Sequence, residues 1–180
     1  YANGALDGGI LGTPYEGVHD ARLHMRGSYA KLGDLVPRHM PVLLTATQPT
    51  IDGSSGRRQL AEWLTDGKNP LTARVMVNRI WQHHFGEAIV RTPSNFGFLG
   101  IRPTHPELLD YLAQRFVDSG WSIKTIHREI MLSAAYQQSS SASKRSLAAD
   151  PDNKLFSRMN RRRLEAEELR DTILFVNGTL

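Results

Sequence analysis

The segment from Asn69 to Gly86 limits what this chain can fold into more than any other. Asn69-Pro70 is a strong helix start: the Asn side chain can accept from the first unpaired amides, and proline's missing N–H has no partner to lose there. Gly86 is the matching stop, because glycine tolerates the left-handed turn that ends helices. Between them, at 100° per residue, Leu71, Val75 and Phe85 share one side, while Ala73, Val77 and Ile80 share another. A helix with two apolar sides must be covered on most of its surface. The spacing therefore predicts a central helix wrapped by other elements.

Those elements are mostly helical too. Arg57 to Thr65 places Leu60, Ala61 and Leu64 at helical spacing, with Gly67 as a stop. Thr104-His105-Pro106-Glu107 opens a helix that ends at Gly120. Its Leu108, Leu109, Leu112, Ala113 and Phe116 form one stripe, opposite Asp110, Gln114 and Asp118. Ser122 caps a third helix, from Ile123 to about Tyr136. Gln137 to Ser146 is Ser-rich and reads as a mobile loop. Asp150-Pro151 opens a short helical turn, and Leu164 to Asn177 is a final helix aligning Ala166, Leu169, Ile173 and Val176. The first 56 residues differ. Arg22 to Arg26 alternates like a short strand closed by Gly27, Pro37, Pro41 and Pro49 chop the stretch after it, and residues 51–56 read as a loop. The expectation is a mostly α chain: an extended, irregular N-terminal strap over residues 1–56 with one short strand, then a bundle of about five helices over 57–180.

Composition excludes several functions. A chain of 180 residues with 40% hydrophobic and 22% charged residues is too apolar for wholesale disorder. No stretch approaches the roughly 18 to 20 apolar residues of a membrane helix. Tyr1 to Gly17 lacks Lys, Arg and an apolar run, so it does not read as a signal peptide. With no cysteine, thiol catalysis, thiolate metal sites and covalent haem attachment have no residue to use in this chain.

The polar clusters offer few catalytic constellations. Asn78 and Gln82 fall on the stripe of Leu71, Val75 and Phe85, where an unpartnered amide costs about 1 to 3 kcal/mol. They are expected to be structural, pinning the irregular backbone of residues 92–100. His83 and His84 point about 100° apart on one helix, Gly86 separates His83 from Glu87, and no His-Glu-x-x-His pattern occurs, so no metal site is expected. His127, among Ile123, Ile126, Ile130 and Ala134, reads as a core histidine, and His105 as a helix-entry residue. The densest charge cluster runs from Arg161-Arg162-Arg163 through Glu165, Glu167, Glu168, Arg170 and Asp171. It reads as a salt-bridge network in which Arg163 is held by Glu167 and Arg162 faces solvent. The sharper option makes Arg163 an anion ligand. Arg79, Asn95, Arg163 and Glu167 are the candidate ligand-binding residues under that option. Catalytic residues are not identifiable. The helix pair joined by Ser119-Gly120-Trp121-Ser122, with Lys124, Thr125 and Arg128 on its second helix, is similar to helix-turn-helix DNA readers. A net charge of only +4, with Glu129 alongside, points away from specific nucleic-acid binding.

Longer motifs run in order along the chain. They are residues 69–82 (Asn-Pro-Leu-Thr-Ala-Arg-Val-Met-Val-Asn-Arg-Ile-Trp-Gln), Phe85-Gly86, residues 92–97 (Thr-Pro-Ser-Asn-Phe-Gly), and residues 105–110 (His-Pro-Glu-Leu-Leu-Asp). Gly120-Trp121-Ser122, residues 133–139 (Ser-Ala-Ala-Tyr-Gln-Gln-Ser), residues 161–167 (Arg-Arg-Arg-Leu-Glu-Ala-Glu) and Arg170-Asp171 come next, and residues 24–27 (His-Met-Arg-Gly) precede them all. In these motifs, from Leu23 to Asp171, the chain resembles the C-terminal domain of unknown function of large planctomycete proteins. The family often has an acidic residue where Ser28 stands, and proline where Glu165 stands, so neither position is obligatory. The resemblance implies an exported, multidomain parent, periplasmic or at the cell surface, with a cytochrome-c-like domain carrying haem elsewhere. It implies no cofactor in this chain, a domain that continues past Leu180, and no known reaction.

These observations favour a non-catalytic interaction or scaffold module whose partners are other domains of its parent. An enzyme or binding domain for polyanionic, sulfated glycans is the alternative, and a helix-turn-helix-like DNA-binding module the third.

Overall fold

A computed structural model of the chain describes residues 20–45, 47–51 and 54–179. The chain is mostly α, with six helices and one two-stranded sheet among the described residues. It divides into two compact units, one running to Thr72 and the other starting at Ala73.

The first unit holds the sheet. Strand β1 (Ala21–His24) pairs antiparallel with β2 (Leu32–Val36), in a register that sets Ala21 opposite Val36 and His24 opposite Leu32. The strand expected from Arg22 to Arg26 thus ends two residues early. Met25-Arg26-Gly27 instead forms a 3₁₀ turn, with Arg26 at φ +52° and Gly27 at φ +76°. Its partner β2 carries Gly and Asp in its interior, which hides it from a strand-propensity reading. The proline-rich stretch is held by side chains. Asp20 accepts from the backbone N–H and Nε of Arg38, at 3.1 and 2.8 Å. Gln48 brackets the buried Met40, accepting from its N–H and donating to its carbonyl. Helix α1 (Arg57–Thr65) occupies the residues expected of it. Of the expected loop at 51–56, Asp52 and Gly53 lie outside the described residues, as does the Tyr1–Gly17 segment. Asn69 caps as its sequence predicts, accepting from the N–H groups of Leu71 and Thr72 while donating to the Trp63 carbonyl.

The second unit is built on α2 (Thr72–Phe85), which buries Ala73, Val77, Asn78, Ile80, Trp81 and Phe85 and stops at Gly86 with φ +78°. Helix α3 (Pro106–Asp118) contributes Leu109, Leu112, Ala113 and Phe116 to the core, and α4 (Ile123–Leu132), capped by Ser122, contributes Ile126 and Ile130. Full burial of one such side chain favours folding by about 1.5 to 3 kcal/mol. The α4 helix stops four residues before Tyr136, because Ser133 turns extended and its hydroxyl donates to the Ile130 carbonyl at 2.6 Å. Helix α5 (Lys144–Ala149) interrupts the segment expected to be a mobile loop. That loop is anchored: the Met159 N–H donates to the Ser139 carbonyl, and the Ser146 and Ser157 hydroxyls meet at 3.2 Å.

Helix α6 (Ala166–Val176) buries nothing. Its Leu169 and Ile173 are half exposed and Val176 more so. The apolar stripe read from the sequence exists, but none of its residues is buried among the described residues.

Candidate ligand-binding surface and the polar framework

Asn78 is fully buried on α2. Its carboxamide donates to the Val90 carbonyl at 3.1 Å and accepts from the Val90 N–H at 2.8 Å. The chain reverses at Gly86 and runs back through Ala88, Ile89 and Val90, all buried, so the carboxamide replaces a missing ladder of backbone bonds. This corrects the expected partner, which was residues 92–100. Gln82 also departs from expectation: it is half-buried, with no side-chain hydrogen bond to residues 92–100.

Residues 92–101 form a separate, self-contained turn. The Thr92 hydroxyl donates to the Asn95 carbonyl at 2.8 Å and accepts from the Ile101 N–H at 3.0 Å. The Asn95 carboxamide accepts from the Gly97 N–H at 3.0 Å, so this exposed candidate ligand residue serves its own turn. At Gly100 a side-chain carbon would collide with the Asn95 carbonyl, which restricts that position to glycine. The turn holds out Phe98 and Leu99, which are 101% and 85% exposed.

The other candidates lie on other segments of the chain. Arg79 is exposed on α2, Arg163 is exposed in the segment before α6, and Glu167 is exposed in the first turn of α6. The pair expected between Arg163 and Glu167 does not form. Instead Arg162 Nη2 meets Glu168 Oε1 at 3.1 Å. The physical reason is the cap: Glu165 and Glu168 form a capping box, and the Glu168 carboxylate turned back to the Glu165 N–H lies within reach of Arg162. No hydrogen bond links Arg79, Asn95, Arg163 and Glu167 to one another among the described residues.

The strongest polar framework was not singled out by sequence reasoning. At residues 150–160, the Asp150 carboxylate accepts from the Lys154 and Leu155 N–H groups, both at 2.8 Å. The Leu155 bond is the largest cause holding this carboxyl below its ordinary range, with Lys154, Arg158 and Arg91 adding to it against the opposing effect of burial. Asn153, 1% exposed at φ +48°, donates to the Arg158 carbonyl and to Asn160 Oδ1. Asn160 in turn donates to the Phe85 carbonyl at 2.9 Å. The framework drives Phe156, itself at φ +50°, into the core against Trp81 and Phe85. A bulky residue in the left-handed region persists only where its surroundings hold it. The available signal was Asn153 and Asn160 close after Asp150-Pro151, since Asn tolerates left-handed backbone and bonds to local main chain.

The histidines pair across helices. His84 Nε2 lies 2.6 Å from His127 Nδ1, with the rings edge to face, and Tyr136 packs edge-on against His84. Burial pushes the His84 imidazole below its ordinary value, and the charges of His127 and His83 add to that. His127 is half-buried and satisfied by this bond, while His105 Nδ1 lies 3.0 Å from the Thr104 hydroxyl. Among the described residues, no group of three or more His, Cys, Asp or Glu could hold a metal ion. Likewise no helix among them is long and apolar enough to cross a membrane.

The fold and these side chains define a mostly α domain in which carboxamides hold irregular backbone to a central helix. The chain belongs to the family described as protein of unknown function DUF1553 (PSD1), whose model matches residues 56–180. No curated protein and no solved structure matches it.

Proposed function

We propose that this chain is a non-catalytic interaction module, joining other domains of a larger exported protein of planctomycete type, periplasmic or at the cell surface. One observation carries the reading: the Phe98-Leu99 tip is fully presented to solvent on a turn whose Thr92 and Asn95 side chains serve to hold it in place. Aromatic and aliphatic groups held rigidly outside a domain lose little entropy on binding and desolvate well, which is the make-up of an interface anchor. The uncovered stripe of α6 adds a second apolar surface. Haem, where the parent carries it, belongs to a cytochrome-c-like partner domain. The glycan-enzyme alternative has weaker support, since no hydrogen bond links its four side chains among the described residues. The DNA alternative rests on Lys124 and Arg128, exposed on α4; with Arg115 of α3 paired to Glu129 at 2.6 Å, these two cations can neutralise few phosphates.

The test is a double substitution, Phe98→Ser with Leu99→Ser, in the full-length parent. Cross-linking with mass spectrometry is expected to lose the links between residues 92–101 and a partner domain, with the thermal midpoint unchanged. Unaltered links would defeat the reading.

A further inference from the structure

The second unit contains a cavity of about 540 Å³ between the Ser-rich loop and residues 158–161, where the Asp150 framework ends. Its charged lining is all of one sign: Arg158 and Arg161 contribute guanidinium groups, and no carboxylate lines it. Ser140 and Ser141 supply hydroxyls from the facing loop, and Leu147 and Met159 supply apolar surface. The walls are fixed on both sides. The Met159 N–H donates to the Ser139 carbonyl, and Ser146 meets Ser157 across the gap. Arg158 is fixed as well, donating from Nη1 to the Asp150 carbonyl at 3.0 Å and from Nη2 to the Pro151 carbonyl at 2.7 Å. Asn160 uses both ends of its carboxamide internally and is wall rather than ligand.

Three donors are left over. The exposed Arg161 guanidinium has no acceptor among the described residues, and neither Ser140 nor Ser141 has its hydroxyl engaged there. We infer that this cavity binds a tetrahedral oxyanion ester, the sulfate or phosphate group of a larger molecule. Arg161 supplies the forked, charge-assisted contact, the two serine hydroxyls donate from the opposite wall, and Arg158 supplies a fixed positive field. Donors arriving from two walls suit an anion with three free oxygens better than a planar carboxylate with two. The apolar side chains would lie against the group that carries the ester. This cavity shares no residue with the Phe98-Leu99 turn, so either surface can act without the other.

The experiment is titration calorimetry of the 180-residue chain at low salt, using inorganic sulfate, inorganic phosphate, a sulfated sugar, a phosphorylated sugar and the unmodified sugar. Saturable binding of at least one ester, tighter than its inorganic ion and absent for the unmodified sugar, is expected. Whichever ester binds more tightly identifies the source of the group. Arg161→Gln should weaken binding about tenfold or more, the scale of one charge-assisted contact. Arg163→Gln makes the same change in net charge two residues away and should alter it less than about twofold. No saturable binding, or equal losses in the two variants, would overturn the inference. Circular dichroism of both variants, expected to match the parent chain, separates lost binding from lost fold.

Discussion

Asn78 shows how far a single residue can be read. Its place on the apolar stripe of α2 required a polar partner, and the structure supplies both a donor and an acceptor at Val90. The identity of that partner was not legible, because spacing gives a side chain's face and not the path of the returning chain. Gly86 reverses the backbone so sharply that residues 88–90, rather than 92–100, come alongside. Asn78→Ala leaves the Val90 N–H and carbonyl unpaired and should lower stability by about 1 to 3 kcal/mol. Gln82→Ala, which removes no hydrogen bond to residues 92–100, should stay within about 0.5 kcal/mol. Urea unfolding of the two variants side by side checks the contrast. Losses of similar size would mean that the Asn78 bonds are not what holds the returning strand.

Elements were legible where the signal was local. Helix α1 and the stops of α2 and α3 come from glycines, caps and apolar spacing that act within a turn or two. Where a long-range contact decides, the sequence was silent: the Ser-rich loop is anchored by residues 157 and 159, and Phe156 enters the core through backbone that propensity disfavours. Helix α6 is the opposite case, locally well specified and globally unsupported. With no buried residue, its opening free energy is set by caps and ion pairs. Amide exchange from 166–176 should therefore be much faster than from α2. Glu168→Ala breaks both the capping box and the Arg162 pair, so it should cost about 1 kcal/mol of local stability, whereas Arg163→Ala should cost less than about 0.5. Site-resolved hydrogen exchange reads both, and a greater loss from Arg163→Ala would restore the Arg163 anchor that the sequence suggested.

At the scale of the whole molecule, the second unit contains two titratable groups whose environments favour different pH ranges. His84 on α2 meets His127 on α4, with His83 and Tyr136 as its other ionisable neighbours. One imidazole nitrogen must stay unprotonated to accept the bond, and burial already disfavours the charged form. The folded state therefore binds its proton less readily than the unfolded chain, whose imidazole titrates near pH 6.5. Stability from this site is present above about 6.5 and is lost progressively as the pH falls toward the lower folded value. Asp150 behaves differently: its carboxyl is held down chiefly by the Leu155 N–H, so its contribution persists above the ordinary carboxylate value of about 3.9 and disappears only as pH falls through the lower folded one. Thermal unfolding from pH 8 to 3 should show two separate declines. His84→Gln should flatten the upper decline and leave the lower, and Asp150→Asn should do the reverse. A thermal midpoint that stays level between pH 8 and 5 in the parent chain would show that the histidine pair does not couple α2 to α4.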